Sequence, residues 1–202
     1  MNSLLYDRKT AYIAVALMVL VSVFILGGNS LRREYNRVMD VFSGQNEPGI
    51  DVQQESIIIL QNAFNLLVVA DRYLLIVTDE YVEENAHAGR LRAILDTAPF
   101  RTNHLLYWDR LNWEDQLITV NTASPFINEL LEILKNEEIS ETSAGHLTEI
   151  EGNINAALRR MNLSGYRSEF ENFNNVLRSP YTALIATVRG VRPLPVPSHI
   201  IN

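Results

Sequence analysis

Cysteine is missing from this chain of 202 residues. No disulfide staples the fold, no thiolate holds a zinc ion, and no lipoprotein anchor is attached at a processed Cys. Positive charge is scarce as well: 17 Lys and Arg face 24 Asp and Glu, for a net charge of −7. That balance argues against nucleic-acid partners, because phosphate binding needs clustered Lys and Arg. Histidine occurs four times, at His87, His104, His146 and His199, too scattered for a metal-ligand motif. A Gly-rich phosphate loop, a nucleophile elbow and a His-Glu-x-x-His helix are all absent. No segment repeats at a fixed period. These gaps point away from an enzyme, and no catalytic, cofactor-binding or metal-binding residues are expected.

What the chain has instead is a long uncharged stretch, from Thr10 to Gly28. An apolar run of about 18 or more residues is long enough to cross a bilayer core as a helix. Arg8 and Lys9 flank it on one side and Arg32, Arg33 and Arg37 on the other. A cleaved signal peptide is the competing reading. Gly27 and Gly28 are small, but Ile25 and Leu26 fit poorly just ahead of an Ala-x-Ala-like site. A buried core helix would carry more polar residues than Thr10 and Ser22. The expectation is therefore a short flank over 1–9 and a single-pass transmembrane anchor over 10–28, with the lipid bilayer of the cell membrane as its partner. Basic residues nearly balance across the two ends, so the positive-inside rule gives only a slight bias toward a cytoplasmic C-terminal domain.

Beyond the anchor the pattern is helical, and residues 29–190 are expected to form one bundle domain. Leu31, Tyr35, Val38, Met39 and Phe42 fall at three- and four-residue spacings, so the anchor is predicted to continue into a stalk helix. Gly44 to Gly49 breaks it. Asp51 suits a helix start, and a very apolar helix is predicted from about Val52 to His87. Its polar residues Gln54, Gln61, Asn65, Arg72 and Asp79 make one narrow stripe, as in a central bundle helix buried on most sides. A second membrane span is disfavoured because Asp71 and Arg72 interrupt it. A short helical pattern covers Leu91 to Leu95. Ser124-Pro125 reads as a helix opening, with Ser as cap and Pro in the first turn. From Ser143 to Leu177 the pattern is helical, with a break expected near Gly165. A helical turn over Thr182 to Val188 follows Ser179-Pro180. The fold class is thus all-α, an N-terminal transmembrane helix followed by an antiparallel up-and-down bundle.

Several clusters have both a functional and an ordinary reading. Tyr107, Trp108 and Trp113 hold both tryptophans and could form a ligand or partner patch, although core packing or contact with a lipid interface is the simpler expectation. Glu84 and His87 have the Glu-x-x-His spacing of a di-iron helix, but that site needs the pair twice. A surface pair between Glu83 and His87 is the simpler expectation. Glu137, Glu138, Glu141, Glu149 and Glu151 read as a solvated face. The tail over 191–202, with Pro193, Pro195 and Pro197, reads as exposed polyproline-like chain or as a ligand for an aromatic groove.

Two regions carry a family resemblance. Ile50-Asp-Val-Gln53, opening a long apolar helix with Leu66-Leu-Val68 and Tyr73, is similar to the Ile-Asp-Val-Gln stretch of the LemA family of bacterial membrane proteins. Glu151-Gly-Asn-Ile154, Arg159-Arg160, Tyr166, Phe170, Phe173-Asn174, Leu177, Pro180 and Ile185-Ala186 resemble that family's C-terminal signature. The family's paired Arg in the second helix is replaced by Ile57 and its apolar neighbours, and residues 89–136 do not align. The resemblance implies a single-pass membrane protein with a helical bundle, no catalytic set and a scaffolding or interaction role. Protein partners and homo-oligomerisation are compatible with it. The alternative is a membrane sensor that binds a small ligand through its bundle.

Overall fold

The computed structural model describes residues 8–45, 48–76, 86–97, 107, 110–137 and 141–196. Its described residues form an all-α protein with helices α1 (Arg8–Phe42), α2 (Val52–Ile76), α3 (Ala86–Thr97), α4 (Trp113–Lys135), α5 (Glu141–Leu163), α6 (Tyr166–Leu177) and α7 (Pro180–Arg189). Contacts divide the chain into two units, residues 1–39 with 168–194, and residues 40–167 with 195–202. The first unit carries eight Lys and Arg against four Asp and Glu, and the second nine against twenty. The net charge of the whole chain therefore conceals a basic unit and a strongly acidic one.

In the first unit the apolar run and the stalk are one uninterrupted helix of 35 residues, as the spacing predicts. Its side chains from Tyr12 to Leu26 are unusually open: Tyr12, Met18 and Leu26 are exposed by 73%, 67% and 70%. Helix α6 lies on the stalk, where the Tyr35 and Phe173 rings meet edge to face at 5.8 Å and Arg37 approaches Glu169 at 3.7 Å. Helix α7 begins at Pro180 in the first turn and ends at Gly190, whose φ of 67° allows the left-handed cap. After it the chain is irregular, yet Leu194 is 4% exposed. Asn174 clasps it, donating from Nδ2 to the Leu194 carbonyl and accepting the Leu194 N–H at Oδ1, both at 2.8 Å. Leu194 is thus docked on its own chain, while Arg192 and Pro193 before it are exposed. Pro197 and the residues after it lie outside the described residues.

Among the described residues the second unit holds four bundled helices, α2 to α5, and its ion pairs and hydrogen bonds give their directions. Glu55 meets Arg160 and Asn62 meets Asn153, so α2 and α5 are antiparallel. His87 meets Glu137 and Arg90 meets Glu129, so α3 is antiparallel to α4. Tyr73 reaches Glu137, which puts the C-terminal ends of α2 and α4 together. The order is therefore up, down, up, down. The core is built from Ile59, Leu60, Ala63, Leu66 and Ala70 of α2, Leu91 and Leu95 of α3, Leu117, Val120, Ile127, Leu130 and Leu134 of α4, and Leu147, Ile154, Ala157 and Met161 of α5, all nearly inaccessible. At the other end Phe42 stacks obliquely on Trp113 at 5.0 Å and edge-on to Tyr166 at 6.3 Å. The turn before α2 closes by an antiparallel bridge from Ser43 to Asp51. Gly44 is required there: its φ is 69°, and a Cβ would sit 2.8 Å from the Asp51 nitrogen. Asp51 then caps α2 by accepting the Gln54 N–H at 3.0 Å.

Two expectations need correction. Helix α2 is described over Val52–Ile76, and His87 belongs to a separate helix, α3, antiparallel to α4; residues 77–85 lie outside the described residues. Ser124-Pro125 does not open a helix, because α4 runs through it from Trp113 with Pro125 inside. The start is set by Asn112, whose side chain accepts the Asp115 N–H at 2.9 Å, with Glu114 and Asp115 favourable in the first turn. Leu117, Val120, Ala123, Ile127 and Leu130 make a continuous buried stripe across Pro125, and that burial outweighs the lost backbone bond. Ser124 turns inward and donates to the Val120 carbonyl at 2.8 Å. The break near Gly165 is where it was expected: its φ is 71°, and it separates α5 from α6.

By length and composition alone, α1 and α2 are both apolar enough to cross a membrane. They differ in burial, since 6% of the most apolar window of α1 is buried against 33% in α2, the central helix of the bundle.

Candidate functional site

A cleft of about 660 Å³ runs along the seam of α2 and α5 in the second unit. The antiparallel register makes it. Gln61, Asn65 and Arg72 belong to the polar stripe of α2, four and seven residues apart. His146, Glu149, Asn153 and Arg160 recur on α5 at three, four and seven, so they share one face. Apolar Ile58, Val68, Val69 and Ile150 line the same cleft.

Two contacts span the seam. Arg160 donates from Nε and Nη2 to the two Glu55 oxygens at 2.6 and 2.8 Å, a bidentate pair. The Glu55 side chain is 11% exposed and that of Arg160 45%. The hydrogen bond to Glu55 holds the guanidinium above its ordinary pKa, against the opposing effect of burial. Asn62 is 8% exposed. It donates to the Ile58 carbonyl at 2.8 Å and accepts from Asn153 Nδ2 at 3.3 Å. The remaining cleft groups, Gln61, Asn65, Arg72, His146 and Glu149, are exposed. Ser, Thr, Cys, Lys and Tyr do not occur in the lining. The cleft offers amides that donate and accept, guanidinium groups and a carboxylate. It is suited to holding a polar molecule by hydrogen bonds and charge.

A second constellation closes the bundle end where α2, α3 and α4 meet. Tyr73 donates to Glu137 Oε2 at 2.5 Å, and His87 Nδ1 lies 2.7 Å from Oε1. The Glu137 side chain is 12% exposed and that of His87 53%. Glu137 is therefore a clasp between helices rather than part of a solvated acidic face. Glu151 is likewise engaged, by Lys135 Nζ at 2.5 Å, while Glu141 and Glu149 are exposed.

Of the aromatic cluster, Tyr107 and Trp113 are among the described residues. Tyr107 is 46% exposed, with the Arg110 guanidinium 5.2 Å above its ring. Trp113 packs on Phe42. Trp108 lies outside the described residues, as do His104, His199, Asp79, Glu83, Glu84 and Glu138. Among the described residues, no three His, Asp or Glu side chains converge to hold a metal ion. The sequence marked the α2 half of the cleft as a polar stripe. It gave no sign that α5 would complete it, because the pairing of two helices is a tertiary fact. No family model matches the chain, and neither the curated proteins nor the solved structures contain a significant match to it.

Proposed function

We propose that this chain is a membrane-anchored helical-bundle protein of the LemA type, held in a bacterial cell membrane by residues 10–28 and working through contacts with other proteins. The observation that carries the proposal is the open apolar surface of α1. Ile13, Val15, Leu17, Met18, Val19, Leu20, Val21, Ile25 and Leu26 are each exposed by 50% or more. A contiguous surface of that kind is untenable in water and is matched by hydrocarbon. Charge supports the same reading. The basic residues concentrate in the unit that holds the apolar run, while the acidic unit is disfavoured by anionic lipid.

The test is cross-linking in native membranes, capture through a C-terminal tag and identification of what accompanies the chain. Specific partners, or a discrete homo-oligomer, are the expected result. Recovery of the chain alone, with no self-assembly, refutes the interaction role.

The α2–α5 cleft favours a second reading, a sensor that takes a small polar ligand. It moves the ligand site away from Tyr107, Trp108 and Trp113. Melting shifts with free amino acids and small dicarboxylates, lost in Arg72→Ala and Asn65→Leu, are its expected signature. Shifts that survive both substitutions place the ligand elsewhere.

A further inference from the structure

Helix α7 is apolar on two sides. Ile185 and Ala186 face inward, at 1% and 5% exposure. Tyr181, Leu184 and Val188, spaced three and four apart on another face, are exposed by 48%, 56% and 65%. Ten residues are too few to cross a bilayer. The question is what covers the outer face.

The position of α7 on α1 answers it. Tyr181 donates from its hydroxyl to the Val23 carbonyl at 3.1 Å, inside the apolar run. Gly27 and Gly28 let α7 lie close: a Cβ at Gly27 would come 2.5 Å from Ile185 Cδ1, and one at Gly28 would come 2.8 Å from Arg189 Nε. Val176, Thr182 and Ile185 share a small hollow with Ser30, Leu31 and Glu34. So α7 sits beside the last turns of the apolar run and the first turn of the stalk. Tyr181 and Ile185 meet α1 at Val23 and Gly27, on either side of Ile25 and Leu26, themselves 50% and 70% exposed.

We infer that α7 is an interfacial helix, lying at the boundary between headgroups and acyl chains with Tyr181, Leu184 and Val188 turned into lipid. This rests on the reading that residues 10–28 lie in the bilayer. If they do, a helix bonded to Val23 is carried to the membrane surface with them. The chemistry suits that depth. A Tyr is at home at the interface, a short helix with an apolar outer face lies in its plane, and Arg189 at the level of Gly28 reaches toward headgroup phosphates. Arg189 joins Arg32, Arg33 and Arg37 at the same exit, a basic collar suited to anionic lipid. The pair Gly27-Gly28, which in the sequence bears only on the cleavage-site reading, is the seat of this contact.

The natural absence of Cys makes the test clean. The full chain is reconstituted in vesicles of phosphatidylethanolamine and phosphatidylglycerol, with a polarity-sensitive fluorophore on one introduced Cys. Leu184→Cys and Val188→Cys report on α7, Leu20→Cys on the anchor, and Asn172→Cys on the level of the stalk near Tyr35. All four positions are exposed. Nitroxide lipids labelled at shallow or deep positions act as quenchers. The expected result is that the shallow nitroxide removes most of the emission at 184 and 188, the deep one quenches 20, and neither affects 172. Emission at 184 and 188 as in water, with 20 quenched, overturns the inference and leaves the anchor standing. A blue-shifted signal at 184 and 188 that no nitroxide quenches, together with a Cys–Cys cross-link between chains, means a second copy covers α7 and also overturns it. Position 20 unquenched removes the anchor itself and the inference with it.

Discussion

Arg160→Ala is the substitution whose consequence is most sharply set by the structure. It deletes both hydrogen bonds to Glu55 and leaves a carboxylate whose side chain is 11% exposed between α2 and α5. Losing one partner of a fully buried pair costs about 3–5 kcal/mol. Here the guanidinium is 45% exposed, so water screens the pair and relieves part of the penalty. The expected loss is about 2 kcal/mol, near the value of one charge-assisted bond plus partial desolvation. In a chain of this size that lowers the melting temperature by about 4–8 °C. The assay is thermal unfolding of the detergent-solubilised full chain, followed by circular dichroism. Glu55→Leu with Arg160→Met supplies the control, because replacing both ends with apolar groups removes the stranded charge and recovers most of the loss. If Arg160→Ala costs under about 0.5 kcal/mol, the range of an exposed pair, the bridge does not hold α2 to α5. If the double variant is as unstable as the single, the cost does not come from the buried carboxylate.

Pro125→Ala stabilises the bundle by about 1–3 kcal/mol, because an interior proline forfeits a backbone bond; a proline at a helix start predicts no gain in the same denaturant titration. Asn174→Ala frees Leu194, with a cost of about 1–2 kcal/mol for the two bonds lost and loss of amide-exchange protection at Leu194. Tyr166 is 1% exposed, and burial pushes its phenol above the ordinary value, with Arg167 pulling weakly the other way. A raised pKa means that its contribution is whole below about pH 10 and declines as pH climbs toward the folded value. Tyr166→Phe therefore flattens the loss of stability above about pH 10; an unchanged alkaline slope refutes the assignment.

Much of the fold was legible because it rests on period and punctuation. The 3.6-residue apolar spacing of Leu31, Val38 and Phe42 foretold the stalk, and Gly44, Gly165 and Pro180 marked real breaks. Ser124-Pro125 misled because local capping chemistry is worth about 1 kcal/mol, less than the burial of Leu117, Val120 and Ile127 on one uninterrupted face. Asn112 with Glu114 and Asp115 behind it is the local signal for the true start. Glu137 read as one acid among several. Its role depends on Tyr73, 64 residues earlier, and His87, 50 residues earlier, and no local pattern announces contacts that distant. The cleft was half visible, since the α2 stripe is periodic, whereas the matching face of α5 acquires meaning only once the two helices lie antiparallel. Gly27 and Gly28 could be seen but not explained, because the helix that needs them lies more than 150 residues on.

The central claim is that residues 10–28 remain on the chain and sit in hydrocarbon. Intact-mass analysis of the protein from the membrane pellet, after an alkaline carbonate wash, tests it most directly. A carbonate-resistant species that still contains residues 10–28 is predicted. A chain beginning near residue 29, recovered in the soluble fraction, contradicts the account.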